Sequence, residues 1–250
     1  MKPFRADLHV HTVLSPCADV EMIPPLIVRE ALNHQIDIIA ITDHNASANV
    51  RAVQSAAEGT GLTVLPGMEV QTHEDIHLLC LFASNSDLDI WQHEIDLALP
   101  DTLNQPEYFG EQFVVDETGD FVCKEPRLLL TSTEFTIEEV LEKVKRLNGV
   151  VIPAHVDRKS FGLFPTLGFL ADWWEFDAIE ISRHVTPTML HQIYPSSKKL
   201  PVIQSGDAHR LSEFLGTTIF ELEKPTLREI QMALTGNDNR ILRNVIDLLR

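Results

Sequence analysis

Short runs of apolar residues alternate with longer amphipathic segments over much of the chain, which indicates strands separated by helices. In the first third of the chain we predict strands at residues 4–10, 37–41, 62–69 and 77–82, and helices at residues 24–33 and 46–58. Pro24 and Pro25 suit the first turn of the first helix, where a missing N–H costs little. This alternation is typical of a domain built from βαβ units.

Residues 84–135 interrupt the alternation with acidic and loop-like stretches. Residues 113–115 and 121–123 flank a turn at residues 117–120, which predicts a hairpin. We interpret the whole segment as an insertion. It either covers an active site, as long excursions often do, or is a surface addition without a role.

The alternation resumes at Thr136 and Glu139, which form a capping box at the start of a helix. Further strands are predicted at residues 150–153, 178–181, 202–205 and 217–221. Seven or eight strands with helices between them favour a parallel barrel over an open sheet. We expect one domain over residues 1–250, a length sufficient for one large buried core.

The amino-acid composition bears on where in the cell we expect the protein to be. The sequence has 44% hydrophobic and 23% charged residues, as in an ordinary globular protein. No run approaches the ~20 apolar residues that cross a bilayer, and the first residues lack the apolar centre of a signal peptide. Cys17, Cys80 and Cys123 are too few and too scattered for a disulfide framework. We expect a cytoplasmic protein without membrane contact.

The formal net charge is −17, with histidines counted as neutral. Proteins that bind long nucleic acid without sequence preference neutralise phosphates with Lys and Arg. We therefore expect a small phosphorylated partner rather than long nucleic acid. Bound cations would balance part of the acid, and the 11 histidines are candidate ligands. The sequence leaves the oligomeric state open.

Metal-ligand residue types stand at the ends of the predicted strands. In the first strand His9 and His11 point to the same face, with Asp7 beside them, because side chains alternate. Ligand types that follow or open other strands are Asp43, His44, Glu69, His77, His155, Asp207 and His209. Each has an ordinary alternative, such as a buried histidine with satisfied hydrogen bonds. Gathered on one rim, they would repel one another once charged, unless metals compensate.

The motifs DLHVHT (7–12), ITDHN (41–45), GMEV (67–70) followed by IHLL (76–79), PAH (153–155) and SGDAH (205–209) occur in this order. They resemble those of the PHP (polymerase and histidinol phosphatase) superfamily, over roughly residues 6–210. The resemblance implies a distorted (β/α)7 barrel of the PHP type. It also implies a trinuclear centre that hydrolyses phosphomonoesters or phosphodiesters. We expect two or three divalent ions, zinc, manganese or iron, since histidine-rich mixed sites accept each of them.

Carried over by residue, the resemblance implies the ligands His9, His11, His44, Glu69, His77, His155, Asp207 and His209. A further carboxylate usually follows the HxHT motif in an SDG loop, where this chain has Ser-Pro-Cys-Ala-Asp at residues 15–19. We expect Asp19 to supply that oxygen, with a Cys17 thiolate as the alternative. His73 competes with His77, which is preferred for the apolar run after it.

Three residues beside these motifs are candidates for contact with substrate. Arg158 and Arg183 are predicted phosphate-binding cations, because a planar guanidinium matches phosphate geometry. His184 is a candidate proton donor or substrate contact. Surface salt bridges are the alternative explanation for each cation. Asp43 is a candidate for orienting a metal-bound histidine.

The sequence thus predicts a metal-dependent phosphoesterase, and a phosphatase in preference to a nuclease. Two other functions stay open. An amidohydrolase-type C–N hydrolase also begins with HxH, but many such enzymes use a carboxylated lysine at a strand end, where this chain has none. A non-catalytic, metal-binding PHP domain is the second alternative, against which the near-complete ligand set argues.

Overall fold

Strands and helices alternate along residues 1–244, the part of the chain that the computed structural model describes. The strands are β1 (Lys2–Val10), β2 (Ile38–Ile41), β3 (Thr63–Gln71), β4 (His77–Leu81), β5 (Phe113–Val115), β6 (Phe121–Lys124), β7 (Val150–Pro153), β8 (Ile179–Ile181), β9 (Val202–Gln204), β10 (Thr218–Leu222) and β11 (Ile241–Asn244). The α-helices are α1 (Pro24–Asn33), α2 (Val50–Ala56), α3 (Asn85–Ala98), α4 (Pro106–Phe109), α5 (Ile137–Arg146), α6 (Leu163–Leu167), α7 (Pro187–Ile193) and α8 (Leu227–Leu234).

Seven strands follow one another in the order β1-β2-β3-β4-β7-β8-β9, and isolated backbone hydrogen bonds beyond the strand ends link β7 to β8 and β9 back to β1. Strands β1, β2 and β3 pair in parallel, as do β8 and β9. Val156 N donates to Glu180 O at 2.8 Å, which connects the end of β7 to β8. Ala208, after β9, bonds with the end of β1 through the His9 carbonyl and the His11 N–H, both at 3.0 Å. The ring of strands is therefore a barrel, as predicted.

Two features distort this barrel. Strand β4 runs antiparallel to both of its neighbours, β3 and β7. Strand β10 pairs antiparallel with the first half of β1 and carries β11 on its other edge. The reversal of β4 has a consequence for the rim, because its first residue, His77, pairs with Gln71 at the end of β3. A histidine at the start of β4 therefore lies level with side chains that end the parallel strands.

Helices α1, α2, α3 and α5 cover one side of the strands through one apolar cluster. Each contributes buried aliphatic or aromatic side chains, among them Ile27, Val53, Trp91 and Val144. Helix α8 packs on a second cluster through Leu227 and Ile230. The predicted capping box starts α5: Thr136 accepts from Glu139 N, and the Glu139 carboxylate accepts from Thr136 N.

The insertion differs from its sequence-based description. Instead of loop-like chain, residues 85–98 form α3, which begins after the N-cap Ser84 and buries Leu88, Trp91 and Ile95. This one apolar stripe is hidden in the sequence by the acidic residues between its members. The predicted hairpin is confirmed as β5 and β6. Helix α2 also begins four residues later than predicted, at Val50 rather than Ala46.

Among residues 1–244, no helix is long and apolar enough to cross a membrane. The expectation of one domain over residues 1–250 stays a prediction, and its last six residues lie outside the described part of the chain.

Candidate metal centre

Histidines and carboxylates from six strands or strand ends meet at one end of the barrel. His9 lies in β1 and His11 follows it, and both are fully buried. His44 lies beyond β2 and forms an isolated bridge with Glu69 of β3. The remaining members are His77 at the start of β4, His155 after β7, and Asp207 and His209 after β9. The structure thus brings together the eight residues to which the resemblance pointed most directly.

Glu69 occupies the centre of the cluster. Its Oε1 lies 2.9 Å from His77 Nδ1 and 3.2 Å from both His155 Nε2 and His9 Nε2. Its Oε2 lies 2.9 Å from His44 Nδ1 and 3.4 Å from His11 Nε2. One buried carboxylate therefore faces five imidazoles.

Asp207 faces the same histidines from the other side. Its Oδ1 lies 3.2 Å from His9 Nε2 and 3.4 Å from both His11 Nε2 and His209 Nδ1. Its Oδ2 accepts a hydrogen bond from Arg158. The ring of His209 stacks on that of His11 with centroids 4.0 Å apart. Asp207 and His209 therefore close the cluster toward solvent.

Glu180 is a member of this site that the sequence analysis missed. It lies in β8, is 1% exposed, and its Oε1 is 2.9 Å from His9 Nδ1. An ionised carboxylate only accepts hydrogen bonds, so His9 Nδ1 carries a proton, and in the neutral imidazole Nε2 turns a lone pair toward the cluster. The available signal was a single acidic residue between two isoleucines in a buried strand, at residues 179–181.

Ser15 fixes the second imidazole in the same way. Ser15 Oγ donates to Asp43 Oδ1 at 2.7 Å and lies 2.9 Å from His11 Nδ1. Because the single hydroxyl proton goes to Asp43, His11 Nδ1 donates to Ser15, and in the neutral imidazole Nε2 carries a lone pair. Asp43 also accepts from Thr12 N and Thr12 Oγ1. The orienting role predicted for Asp43 thus reaches His11 through Ser15.

In the neutral imidazoles two lone pairs face each other, since His9 Nε2 and His11 Nε2 are 3.1 Å apart. That contact is relieved either by a proton, which makes it an N–H···N hydrogen bond, or by a metal ion that both nitrogens bind. Two ligands of one tetrahedral zinc ion, each at about 2.0–2.1 Å, are about 3.3 Å apart. Several buried atoms here also make no hydrogen bond of acceptable geometry within the described chain, although some have close neighbours: Glu69 Oε2, His77 Nε2, His155 Nδ1 and Asp207 Oδ1. Unsatisfied buried atoms are rare, and a metal ion would satisfy these.

Among residues 1–244, three overlapping groups of ligand atoms lie within 4.8 Å of one another. They are His11, His44 and His209; His9, His11 and Glu69; and His44, Glu69 and His77. Nitrogen and carboxylate oxygen donors suit zinc, iron and manganese. The residues present therefore fit divalent transition-metal ions.

The electrostatics of the cluster are strongly coupled. Burial by itself would raise the pKa of Glu69, but the surrounding histidines, His77 first, hold that pKa well below its usual range. Burial lowers the pKa of His44 to about 4. Burial also lowers the pKa of His209, to about 2, with further lowering from His11. For His9, burial would lower the pKa, yet Glu69, Glu180 and Asp207 raise it well above its usual value. Without a bound metal ion, His9 therefore favours its protonated, cationic form.

A cavity of about 650 Å³ opens onto the cluster. Cys17 is among the residues that line this cavity, and Asp19 and His73, both exposed, are not. Phe109 and Leu130, both from the insertion, also contribute to the wall. The insertion therefore contributes to the wall of this cavity, and its covering of an active site stays a prediction.

The three predicted substrate contacts separate in the structure. Arg158 lines the cavity above the cluster, next to Lys159. Arg183 and His184 line an adjacent cavity of about 320 Å³, which shares His155, Arg158 and Asp207 with the first. The Arg183 guanidinium donates to the carbonyl oxygens of Gly206 and Glu213 at 2.6 and 2.7 Å, so it supports the loop that carries Asp207.

Comparison with known proteins finds a family model that matches part of the chain. Residues 7–117 match the sequence model of the PHP domain, which confirms the predicted family. The chain is 31% identical over 84 residues to the 5'-3' exoribonuclease Rnm of Salmonella typhimurium. That alignment covers 33% of this chain and 28% of the relative, so only a small part of the relative's length is matched.

Solved structures share the fold. The lesion-specific endonuclease PfuEndoQ of Pyrococcus furiosus superimposes with a TM-score of 0.74 at 18% identity, over 96% of this chain and 58% of the endonuclease. A putative metal-dependent phosphoesterase of Bifidobacterium adolescentis superimposes with a TM-score of 0.55 at 20% identity, over 88% of this chain and 89% of that one. These likenesses confirm the predicted PHP-type barrel, and at such identities they bear on the fold alone.

Proposed function

We propose that this PHP-domain protein is a metal-dependent hydrolase of phosphate esters. The proposed metal ligands are His9, His11, His44, Glu69, His77, His155, Asp207 and His209, with Asp19 as a predicted ninth and Cys17 as its alternative. The observation that carries the proposal is the convergence of His9 Nε2 and His11 Nε2, 3.1 Å apart, beside the Glu69 and Asp207 carboxylates. A metal ion bound by both nitrogens would fit this arrangement, and the buried oxygens and nitrogens around it that make no hydrogen bond are metal donors.

Divalent ions bound in this cluster would polarise phosphoryl oxygens and lower the pKa of a water molecule toward about 7. The chain's own residues hold the ligands in place for this chemistry. With ions bound, Glu180 and Ser15 would hold His9 and His11 in the tautomer with Nε2 unprotonated. Two or three ions, of zinc, manganese or iron, are consistent with the number of donors, and the trinuclear centre remains part of the proposal.

Arg158 is the proposed phosphate-binding residue. Its guanidinium lies at the cavity wall, half exposed, and pairs with Asp207. In-line attack on phosphorus needs positive charge around the equatorial oxygens, and a guanidinium can bind two of them. Lys159 adds a second cation to the same wall. Arg183 and His184 stay predicted substrate contacts from the adjacent cavity.

The size of the substrate is the finer part of the proposal. The net charge of −17 led us to expect a small phosphorylated molecule and a phosphatase rather than a nuclease. Net charge is a weaker argument against nucleic acid at the site itself, because two cationic side chains, Arg158 and Lys159, line the cavity wall. Related proteins include an exoribonuclease and a structure named as an endonuclease. Hydrolysis at the end of a nucleic acid is therefore a second candidate function.

The decisive experiment combines elemental analysis with phosphate release. Purified protein would be assayed on p-nitrophenyl phosphate, a panel of nucleotides and short 5'-phosphorylated oligonucleotides, with and without manganese. His9→Ala and Asp207→Ala should abolish release and lower metal content while the circular dichroism spectrum of the barrel is retained. His93→Ala, an exposed histidine on α3, is the matched control and should be unchanged.

Each alternative has its own outcome in this experiment. Bound metal without turnover of any ester would favour the non-catalytic PHP domain. Turnover of amides but not of esters would favour the amidohydrolase type. Full activity of His9→Ala with unchanged metal content would refute the site.

A further inference from the structure

We propose that residues 158–161 form a recognition loop, and that it selects phosphate esters carrying a planar aromatic ring, that is, nucleoside phosphates. Arg158 and Lys159 would bind the phosphate, while Phe161 and Phe109 would contact the ring. This rests on the proposed function, which supplies the phosphate-binding end of the site. All four residues line the same cavity above the histidine cluster.

Phe161 is held in an unusual backbone conformation. Its φ is +60°, in the left-handed region that bulky residues rarely adopt. Such outliers persist where the surroundings impose them, and they concentrate at functional sites. Here the Phe161 carbonyl accepts a hydrogen bond from His77 N at 3.1 Å. The next residue is equally constrained, because a Cβ on Gly162 would lie 2.2 Å from the Arg158 carbonyl oxygen. The backbone of residues 158–162 is therefore restricted to one conformation.

This conformation turns the Phe161 ring into the cavity. The ring stacks on His77 with centroids 4.4 Å apart and an interplanar angle of 5°. One of its faces is thus covered, yet the residue remains 38% exposed beside the metal cluster. A flat apolar surface next to two cations matches a molecule that joins a planar ring to a phosphate, since bases stack on aromatic rings.

Phe109 provides a second aromatic wall from a distant part of the chain. It ends α4 within the insertion and is 40% exposed. The neighbouring Gly110 fixes its position: its φ is +98°, and a Cβ there would lie 2.2 Å from the Pro16 carbonyl oxygen. The insertion is therefore anchored beside Cys17, at the edge of the same cavity. Two phenyl rings from separate elements therefore line one cavity. If the only role of Phe161 were to shield His77 from solvent, the second ring would not be needed.

The test compares two substrates that differ only in the ring. We would measure kcat/KM of the metal-loaded protein for adenosine 5'-monophosphate and ribose 5-phosphate. Stacking of one base predicts a preference for the nucleotide of about tenfold or more. Phe109→Ala should reduce this ratio toward one by lowering kcat/KM for the nucleotide, because the variant loses one of the two rings that contact the base. Phe161→Leu, which keeps an apolar side chain over His77, should reduce it as well.

Tyr108→Ala is the matched control, since Tyr108 precedes Phe109 on α4, is 77% exposed and does not line the cavity. It should keep the full preference, and metal content should be equal in all variants. A 5'-phosphorylated dinucleotide shows whether the substrate is a free nucleotide or the end of a nucleic-acid strand. A kcat/KM higher than that for adenosine 5'-monophosphate identifies the strand end, and an equal or lower value identifies the free nucleotide.

Equal kcat/KM values for the two substrates would overturn the recognition loop while leaving the phosphoesterase proposal intact. Hydrolysis of glycerol phosphate, without hydrolysis of adenosine 5'-monophosphate or ribose 5-phosphate, would also overturn the recognition loop and leave the phosphoesterase proposal intact. Absence of phosphate release from every ester would overturn the proposed function, and the recognition loop with it.

Discussion

Glu180 Oε1 lies 2.9 Å from His9 Nδ1 in the buried end of the barrel. The two residues are 171 positions apart, and the contact forms because β8 reaches the neighbourhood of β1 when the barrel closes. Its effect is chemical: it sets which nitrogen of His9 faces the cluster. Glu180, which is not a proposed metal ligand, therefore orients His9, which is one.

Replacing Glu180 should weaken the metal site without unfolding the barrel. Glu180→Gln keeps the size of the side chain but removes the charge that orients His9. Loss of such an orienting partner typically costs 10–100-fold in metal affinity or activity. Metal titration and phosphate release would measure the effect. Glu221→Gln, a surface strand residue paired with Arg243, should behave as wild type; a Glu180→Gln protein that does the same would contradict the orienting role.

Ser15→Ala should have a similar but separable effect. The substitution removes the hydroxyl that accepts from His11 Nδ1 and donates to Asp43 Oδ1. His11 can then take the other tautomer, so metal affinity should fall by about tenfold or more. Ser15→Thr retains a hydroxyl and should recover part of the affinity. If Ser15→Ala binds metal as tightly as wild type, the hydroxyl does not set the tautomer.

Metal binding should stabilise the fold measurably. An ion that binds only the folded protein adds about 2.7 kcal/mol at a free concentration about 100-fold above Kd. For a chain of 250 residues this corresponds to a rise in Tm of about 5–10 °C. The rise should be absent in Glu69→Gln, which loses the charge facing five imidazoles. Differential scanning calorimetry with and without manganese or zinc would detect it, and an equal rise in the variant would exclude Glu69 as a ligand.

The insertion should prove to be an integral part of the core. Trp91 of α3 is fully buried and packs near Phe82 and Phe135, with ring centroids 6.4 and 6.0 Å away. Trp91→Ala should therefore cost about 3–5 kcal/mol of unfolding free energy. Ile90→Ala, one residue earlier and 52% exposed, should change it by about 0.5 kcal/mol or less. Urea denaturation measures both, and similar values would mean that α3 is only loosely attached.

The sequence by itself determined most of the strands, the capping box at Thr136 and the ligand types at the strand ends. These features are local: alternation along one strand places His9 and His11 on one face, whatever the rest of the chain does. The ordered motifs then indicated the PHP family and its distorted barrel, which the family match and the solved structures confirm. Helix α3 was not predicted, because its apolar stripe consists of few residues among many acidic ones.

Only the tertiary structure decided which side chains share the site and in what state. Contacts such as Glu180 with His9, Arg158 with Asp207 and Phe109 with the histidine cavity join residues from separate elements. No local pattern encodes them, because they depend on how the barrel closes and on where β4 reverses. The sequence supplied the ligand chemistry. Burial and the hydrogen bonds formed across the fold set the tautomers and pKa values on which that chemistry depends.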